Sequence, residues 1–212
     1  MHLRPTRYEV NLTNLQHNFN CVRSFVGPNV QVMSVVKANG YGMGIVRIAR
    51  ALAEAGCQRF AVATPDEAIA LREAGISEPL LVLGPSPYEA AEYYVRHDIA
   101  AALTDMAFAH AASQAAQRQA KVARLHLKID SGMGRIGFLP EELPGVLAEL
   151  KGLPGLDVEG AFTHFATADE INLEYTHWQF KRYMKALDIL DEFGVKVRLR
   201  HVCNSPATLN VP

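Results

Sequence analysis

Val35-Val36-Lys37-Ala38-Asn39-Gly40-Tyr41-Gly42-Met43-Gly44 closes an apolar run that begins at Val30. The run reads as a strand buried on both faces, and Lys37 stands where it ends. A lysine there is costly unless its ammonium is paired, desolvated for chemistry or covalently used. Three glycines around one tyrosine permit a tight turn and bring backbone N–H groups close to an anion. A helix starting near Ile45 adds its positive end. One amine for a carbonyl carbon beside one cradle for a phosphate suits pyridoxal phosphate, whose aldehyde forms an imine with lysine. The plainer reading is a lysine that reaches solvent and glycines that only turn the chain.

Before this stretch, residues 7–12 (Arg-Tyr-Glu-Val-Asn-Leu) alternate polar and apolar, the pattern of a half-exposed strand. Thr13 with Gln16 fits a capping box, opening a helix that runs to about Phe25. After it one unit recurs: a short apolar strand, a turn, an amphipathic helix, a glycine. Strands are expected near residues 33, 61, 81, 101, 127, 160 and 200. Thr64-Pro65-Asp66-Glu67 and Ser86-Pro87-Tyr88-Glu89 each supply an N-cap, a proline at the first helical position and a glutamate at the third. Further helices are expected at about 105–119, 141–150 and 172–193. Strands separated by single helices argue for parallel βαβ units with right-handed crossovers. The fold class is α/β, a TIM-type (β/α)8 parallel barrel that stops before its eighth strand. Residues 1–27 form a flanking strand and helix, and residues 28–212 form the incomplete barrel. An open edge leaves N–H and C=O groups unpaired, and Asn204-Ser205-Pro206-Ala207 reads as a strand end entering one more helix. The chain is therefore expected to be part of a longer polypeptide.

Composition narrows the class. With 212 residues, 49% hydrophobic and 20% charged, the chain can bury a substantial core. A net charge of -1 gives no reason to expect nucleic acid or a membrane surface as partner. Cys21, Cys57 and Cys203 lie far apart without ligand spacing. They read as reduced thiols of a cytoplasmic protein, with no disulfide framework and no metal site. No run approaches the ~20 apolar residues of a membrane span, and the first residues lack a signal-peptide core.

In such a barrel the reactive groups gather at the C-terminal strand ends. Polar residues stand there in Lys128-Ile129-Asp130-Ser131-Gly132-Met133-Gly134-Arg135, in Thr163-His164-Phe165-Ala166-Thr167-Ala168-Asp169 and in His201-Val202-Cys203-Asn204-Ser205. Arg135 follows a glycine turn that can hold its guanidinium for a phenolate oxygen or a substrate carboxylate. It also fits a solvated surface arginine. Lys128 reads as a buried lysine paired with Asp130. His164 can stack against a ring or serve as an ordinary core histidine. His126, His201 and the other histidines show no paired spacing suited to a metal. Asn204 and Ser205 open a helix, a natural place for a phosphate, although Ser205 also reads as a simple N-cap. Trp178, Phe180 and Tyr183 lie on a long helix and read as packing.

The run Val-Val-Lys-Ala-Asn-Gly-Tyr-Gly-Met-Gly resembles the cofactor-lysine signature of alanine racemases. Lys-Ile-Asp-Ser-Gly-Met-Gly-Arg and Thr-His-Phe-Ala-Thr-Ala-Asp are similar to further signatures of that family. Gly40 and Met43 depart from it, standing where Ala and His are more usual. The resemblance implies that Lys37 carries pyridoxal 5'-phosphate and serves as a catalytic base, and that Tyr41 bonds the phosphate. It implies that Arg135 touches cofactor and substrate, that His164 lies on the pyridine-ring side, and that Asn204 and Ser205 contact the phosphate. Lys128 matches a lysine that family members often carbamylate. The activity implied is an amino-acid racemase interconverting L- and D-alanine by two-base α-proton transfer, which supplies D-alanine for peptidoglycan. Family members carry an N-terminal barrel and a C-terminal β-domain; this chain covers most of the first and none of the second. The opposite base is then a tyrosine from the partner subunit of a head-to-tail homodimer, and this stretch alone is expected to be inactive. Two alternatives stand: a non-catalytic pyridoxal-phosphate carrier, or another barrel-type amino-acid decarboxylase or aldolase. Alanine and serine both remain open as substrate.

Overall fold

The computed structural model describes residues 6–211, and the chain divides at Pro79/Leu80 into two compact units. In the first unit, α1 (Leu12–Val26) starts at Asn11, whose side chain accepts the Asn14 N–H at 3.0 Å. The cap falls two residues ahead of Thr13. Gln16 is free to reach out instead, donating from Nε2 to the Ala51 carbonyl at 2.9 Å. Residues 7–11 form no strand, contrary to their alternation. The pattern fits a pleated surface, but among the described residues no strand lies alongside to pair its backbone groups.

β1 (Met33–Val35) is shorter and more open than the apolar run suggests: Val30 is 53% and Val35 38% exposed. Among the described residues it has a strand neighbour on one side only. After it come α2 (Lys37–Tyr41), a single turn of unusual hand, and α3 (Ile45–Glu54), which buries Ile45, Ile48, Ala49, Ala51 and Leu52. β2 (Arg59–Val62) pairs with β1 in parallel, Val35 opposite Ala61. α4 (Pro65–Glu73) then begins with the full capping box that Thr64-Pro65-Asp66-Glu67 predicts.

The second unit runs β3 (Leu80–Val82), α5 (Ala90–His97), β4 (Ala100–Leu103), α6 (Met106–Gln119), β5 (Ala123–Lys128), α7 (Leu143–Leu150), β6 (Leu156–Phe162), α8 (Glu174–Glu192), β7 (Leu199–His201) and α9 (Ser205–Asn210). β3 to β7 pair in chain order and all in parallel. β3 and β4 are buried along their whole length, which is why they read as unbroken apolar runs. Asp105 starts α6 by accepting the Phe108 N–H at 2.8 Å. Ser86 does not cap α5: its hydroxyl bonds the Tyr94 hydroxyl at 2.6 Å, and the helix begins only at Ala90. Among the described residues, seven parallel strands alternating with helices give the TIM-type α/β pattern, each strand at the position expected from the sequence. No described helix is long and apolar enough to cross a membrane.

Candidate active-site elements

Directly after Lys37 the backbone winds left-handed. Ala38 (φ 53°, ψ 50°), Asn39 (φ 54°, ψ 45°) and Gly40 (φ 63°, ψ 40°) all lie in that region. Tyr41 (φ 54°) and Gly42 (φ 86°) continue it. Glycine adopts this freely, but each L-residue costs roughly 1–2 kcal/mol. The turn closes through N–H donation from Gly40 to Val36, Gly42 to Ala38 and Gly44 to Asn39, each at 2.9 Å. Asn39 Oδ1 takes the Ile45 N–H at 3.0 Å, satisfying the first donor of α3. Glu67 supplies the remaining ties. Its Oε1 accepts the N–H groups of Ala38 and Asn39, and its Oε2 those of Ala63 (2.9 Å) and Thr64 (3.3 Å). The Lys37 side chain is exposed, and among the described residues no hydrogen bond or ion pair holds its ammonium. Tyr41 is likewise exposed.

In the second unit the register sets Lys128, Phe162 and His201 on one rung of β5, β6 and β7. The polar motifs follow just beyond it. Asp130 Oδ1 accepts the N–H groups of Gly132 (2.9 Å) and Gly134 (3.0 Å). The loop is closed by Asp130 N–H to Phe138 and Phe138 N–H to Lys128, at 2.8 and 2.9 Å. Burial would raise the Asp130 carboxyl pKa, but these N–H groups and the Lys128 charge outweigh it, so it lies below the usual value. Only glycine fits at Gly132: a Cβ there would come within 2.6 Å of the Trp178 ring and 2.9 Å of the Tyr175 hydroxyl. Tyr175 also donates to the Gly132 carbonyl at 2.8 Å. Tyr175 and Trp178, three residues apart on α8, thus brace the loop that carries the exposed Arg135. Reading Trp178 as packing missed what it packs against; its i, i+3 spacing with Tyr175 was the available signal.

Lys128 is 2% exposed, donates to the Ile129 carbonyl at 2.8 Å and lies 5.6 Å from the Phe162 ring centre. Burial pushes its ammonium down to about 8; Asp130 pulls it up and Arg135 presses it further down. It makes no ion pair with Asp130 among the described residues, so that pairing does not hold at salt-bridge range. His201 stacks on Phe162 with centroids 4.8 Å apart, and its Nε2 bonds His126 Nδ1 at 2.8 Å. His126 Nε2 meets Glu159 Oε1 at 3.2 Å, while Glu159 Oε2 accepts from Arg198 at 3.3 Å. The His126 hydrogen bond holds the Glu159 carboxyl below its usual range in spite of burial. This row of rings and charges was invisible in the sequence, because its members sit on three different strands.

His164 follows β6 half-buried, its carbonyl accepting from Gln179 Nε2 at 3.2 Å. Asn204 Oδ1 accepts the Ala207 N–H at 3.0 Å and its Nδ2 reaches the Phe165 carbonyl at 3.5 Å, so the carboxamide is occupied in starting α9. The Ser205 side chain is exposed at the first position of that helix. Lys37 and Tyr41 belong to the first unit; Lys128, Arg135, His164, Asn204 and Ser205 belong to the second.

Parallel strands followed by polar, backbone-anchored loops at their C-terminal ends define the class: a protein of the TIM-type α/β barrel fold. Within that class, the chain belongs to the alanine racemase family. Residues 10–212 match the family described as "Alanine racemase, N-terminal domain". The alanine racemase of Desulforamulus reducens is 45% identical over 211 residues, covering 98% of this chain and 56% of that protein. Alanine racemase 2 of Caldanaerobacter subterraneus subsp. tengcongensis is 43% identical over 206 residues, covering 97% and 53%. The alanine racemase of Clostridium difficile in complex with cycloserine matches in structure with a TM-score of 0.96 at 40% identity, over 100% of this chain and 58% of its own. That of Bacillus anthracis with bound L-Ala-P gives 0.88 at 40% identity, over 93% and 51%. The chain therefore spans about half the length of the relatives it matches.

Proposed function

We propose that this chain is the cofactor-binding barrel portion of a pyridoxal-phosphate-dependent alanine racemase, with residues 28–212 forming the barrel and 1–27 flanking it. The residues present fit that cofactor: an exposed amine at Lys37 that has no partner among the described residues, and an exposed hydroxyl at Ser205 on the first turn of a helix. When bound, pyridoxal phosphate withdraws electrons from the substrate α-carbon, making its proton removable near neutral pH. Lys37 supplies the amine that holds the cofactor and the base that takes or returns a proton on one face. Tyr41 and Ser205 bond the phosphate, while Asn204 shapes the start of α9. Arg135, held by the Asp130 loop, fixes the substrate carboxylate and a cofactor oxygen. His164 lies along the ring.

Lys128 fits carbamylation. A neutral amine adds to CO2, forming an N–C bond and releasing a proton, and the cation that Arg135 disfavours becomes an anion that pairs with it. The opposite face needs a second base, which we assign to the partner subunit of a homodimer. The setting is the cytoplasm, and the product is D-alanine for peptidoglycan.

The Lys37 ammonium, exposed and without a partner among the described residues, ahead of a left-handed turn in a chain that matches this family from residue 10 to 212, carries the reading. The test joins the chain to the C-terminal β-domain of a relative and follows optical rotation of L-alanine with and without pyridoxal phosphate. Cofactor-dependent loss of rotation, abolished by Lys37→Ala, is expected. Unchanged rotation, or rotation lost only with release of CO2, contradicts it.

A further inference from the structure

We infer that Glu67 is a positioning residue for Lys37: its carboxylate clamps the left-handed turn after the lysine, and thereby sets how readily Lys37 takes up pyridoxal phosphate. This rests on the function proposed for Lys37. Starting α4 requires only one oxygen of Glu67, since Oε2 alone meets the Thr64 N–H of the capping box and the neighbouring Ala63 N–H. Oε1 is surplus to that task. It crosses 29 positions of sequence to accept the Ala38 N–H, and the Asn39 N–H at 3.4 Å. These are the first two residues of the left-handed turn, and both are L-residues at positive φ. Such a conformation persists only where surrounding contacts over-determine it. Among the described residues, Glu67 is the side chain bonded to their N–H groups.

A carboxylate suits this place because both oxygens are acceptors only, so each can face a pair of donors. Glutamine cannot do the same; its NH2 would face N–H groups on one side. Among the described residues Lys37 itself has no partner to fix it, so its direction follows from the backbone that leaves it. Glu67 therefore acts on the lysine from the other side of the turn without touching it.

The experiment uses the 212-residue chain with four variants: Thr64→Ala, Glu67→Gln, Glu67→Ala, and Glu67→Ala combined with Ala38→Gly. Two quantities are read: amide hydrogen exchange at Ala38 and Asn39 without cofactor, and the rate at which Lys37 is labelled by pyridoxal phosphate plus borohydride. Glu67→Ala is expected to speed exchange and slow labelling by about tenfold, the equivalent of one charge-assisted hydrogen bond. Glu67→Gln falls between it and the parent, and carries the test if Glu67→Ala does not fold. Thr64→Ala, which removes only the helix cap, leaves both quantities near the parent. Ala38→Gly restores part of the labelling lost in Glu67→Ala, because glycine enters the left-handed region without the clamp. Unchanged exchange and labelling in both Glu67 variants, or an equal loss in Thr64→Ala, overturns the inference alone. No labelling of Lys37 in the parent chain, even with a complementing C-terminal domain present, overturns the function proposed for Lys37, and the inference with it.

Discussion

Gly40 shows how one position can be governed by conformation and not by space. A Cβ there would meet the Ile45 backbone at 3.4 Å, an ordinary contact, yet φ is +63°. Gly40→Ala is therefore expected to lower stability by about 1 kcal/mol, and Ala38→Gly to raise it by a similar amount. Both are read as midpoint shifts in urea unfolding, with the slope unchanged. Equal midpoints in all three chains would mean that the turn is right-handed or frayed in solution. At this scale the sequence told part of the story. Lys37 at a strand end and three alternating glycines announced a sharp turn, but not that Ala38, Asn39 and Tyr41 would share its hand. The second task of Glu67 was hidden because its partners lie far away in sequence, while its local pattern already had a sufficient explanation as a helix start.

Among the elements, the loop from Asp130 to Phe138 is held by one carboxylate and braced by two aromatics of α8. Asp130→Ala leaves the Gly132 and Gly134 N–H groups without their acceptor, an expected loss of about 1–3 kcal/mol. Faster amide exchange confined to residues 131–135 is the accompanying signature. Gly160 makes a second case: a Cβ there would run into the His126 ring, so Gly160→Ala is expected to destabilise by about 1–3 kcal/mol in urea unfolding. β3 and β4 were legible because parallel strands covered on both faces read as apolar runs. Residues 7–11 carried an equally good strand pattern, but pairing is a property of neighbours and not of the segment. Thr64 and Ser86 present the same start signal; one caps its helix, and the other gives its hydroxyl to Tyr94. Nothing in either tetrapeptide distinguishes them.

For the whole chain, pH separates the buried acid groups from the buried amine. Asp130 and Glu159 have carboxyl pKa values below the ordinary values of 3.8 and 4.5. Their stabilising contribution is present above those values and is lost as pH falls below them. Lys128 behaves oppositely. Its drop from 10.5 to about 8 means that below 8 both folded and unfolded forms are charged and the burial penalty is felt in full. Between about 8 and 10.5 the unfolded chain binds the extra proton, so stability rises with pH. The difference corresponds to roughly 3 kcal/mol. Lys128→Met is expected to be more stable than the parent at pH 7 and to lose that advantage by pH 10.5, measured in CO2-free buffer. A constant gap between the two chains across that range would mean that Lys128 keeps an ordinary pKa.

The proposed chemistry depends on the amine of Lys37, and its most direct test is the site of covalent capture. Pyridoxal phosphate is added, the mixture is reduced with borohydride, and the modified peptide is identified by mass spectrometry. The account predicts one phosphopyridoxyl group, on Lys37. Modification of Lys128 or another lysine instead, or none when a complementing C-terminal domain is present, would contradict it.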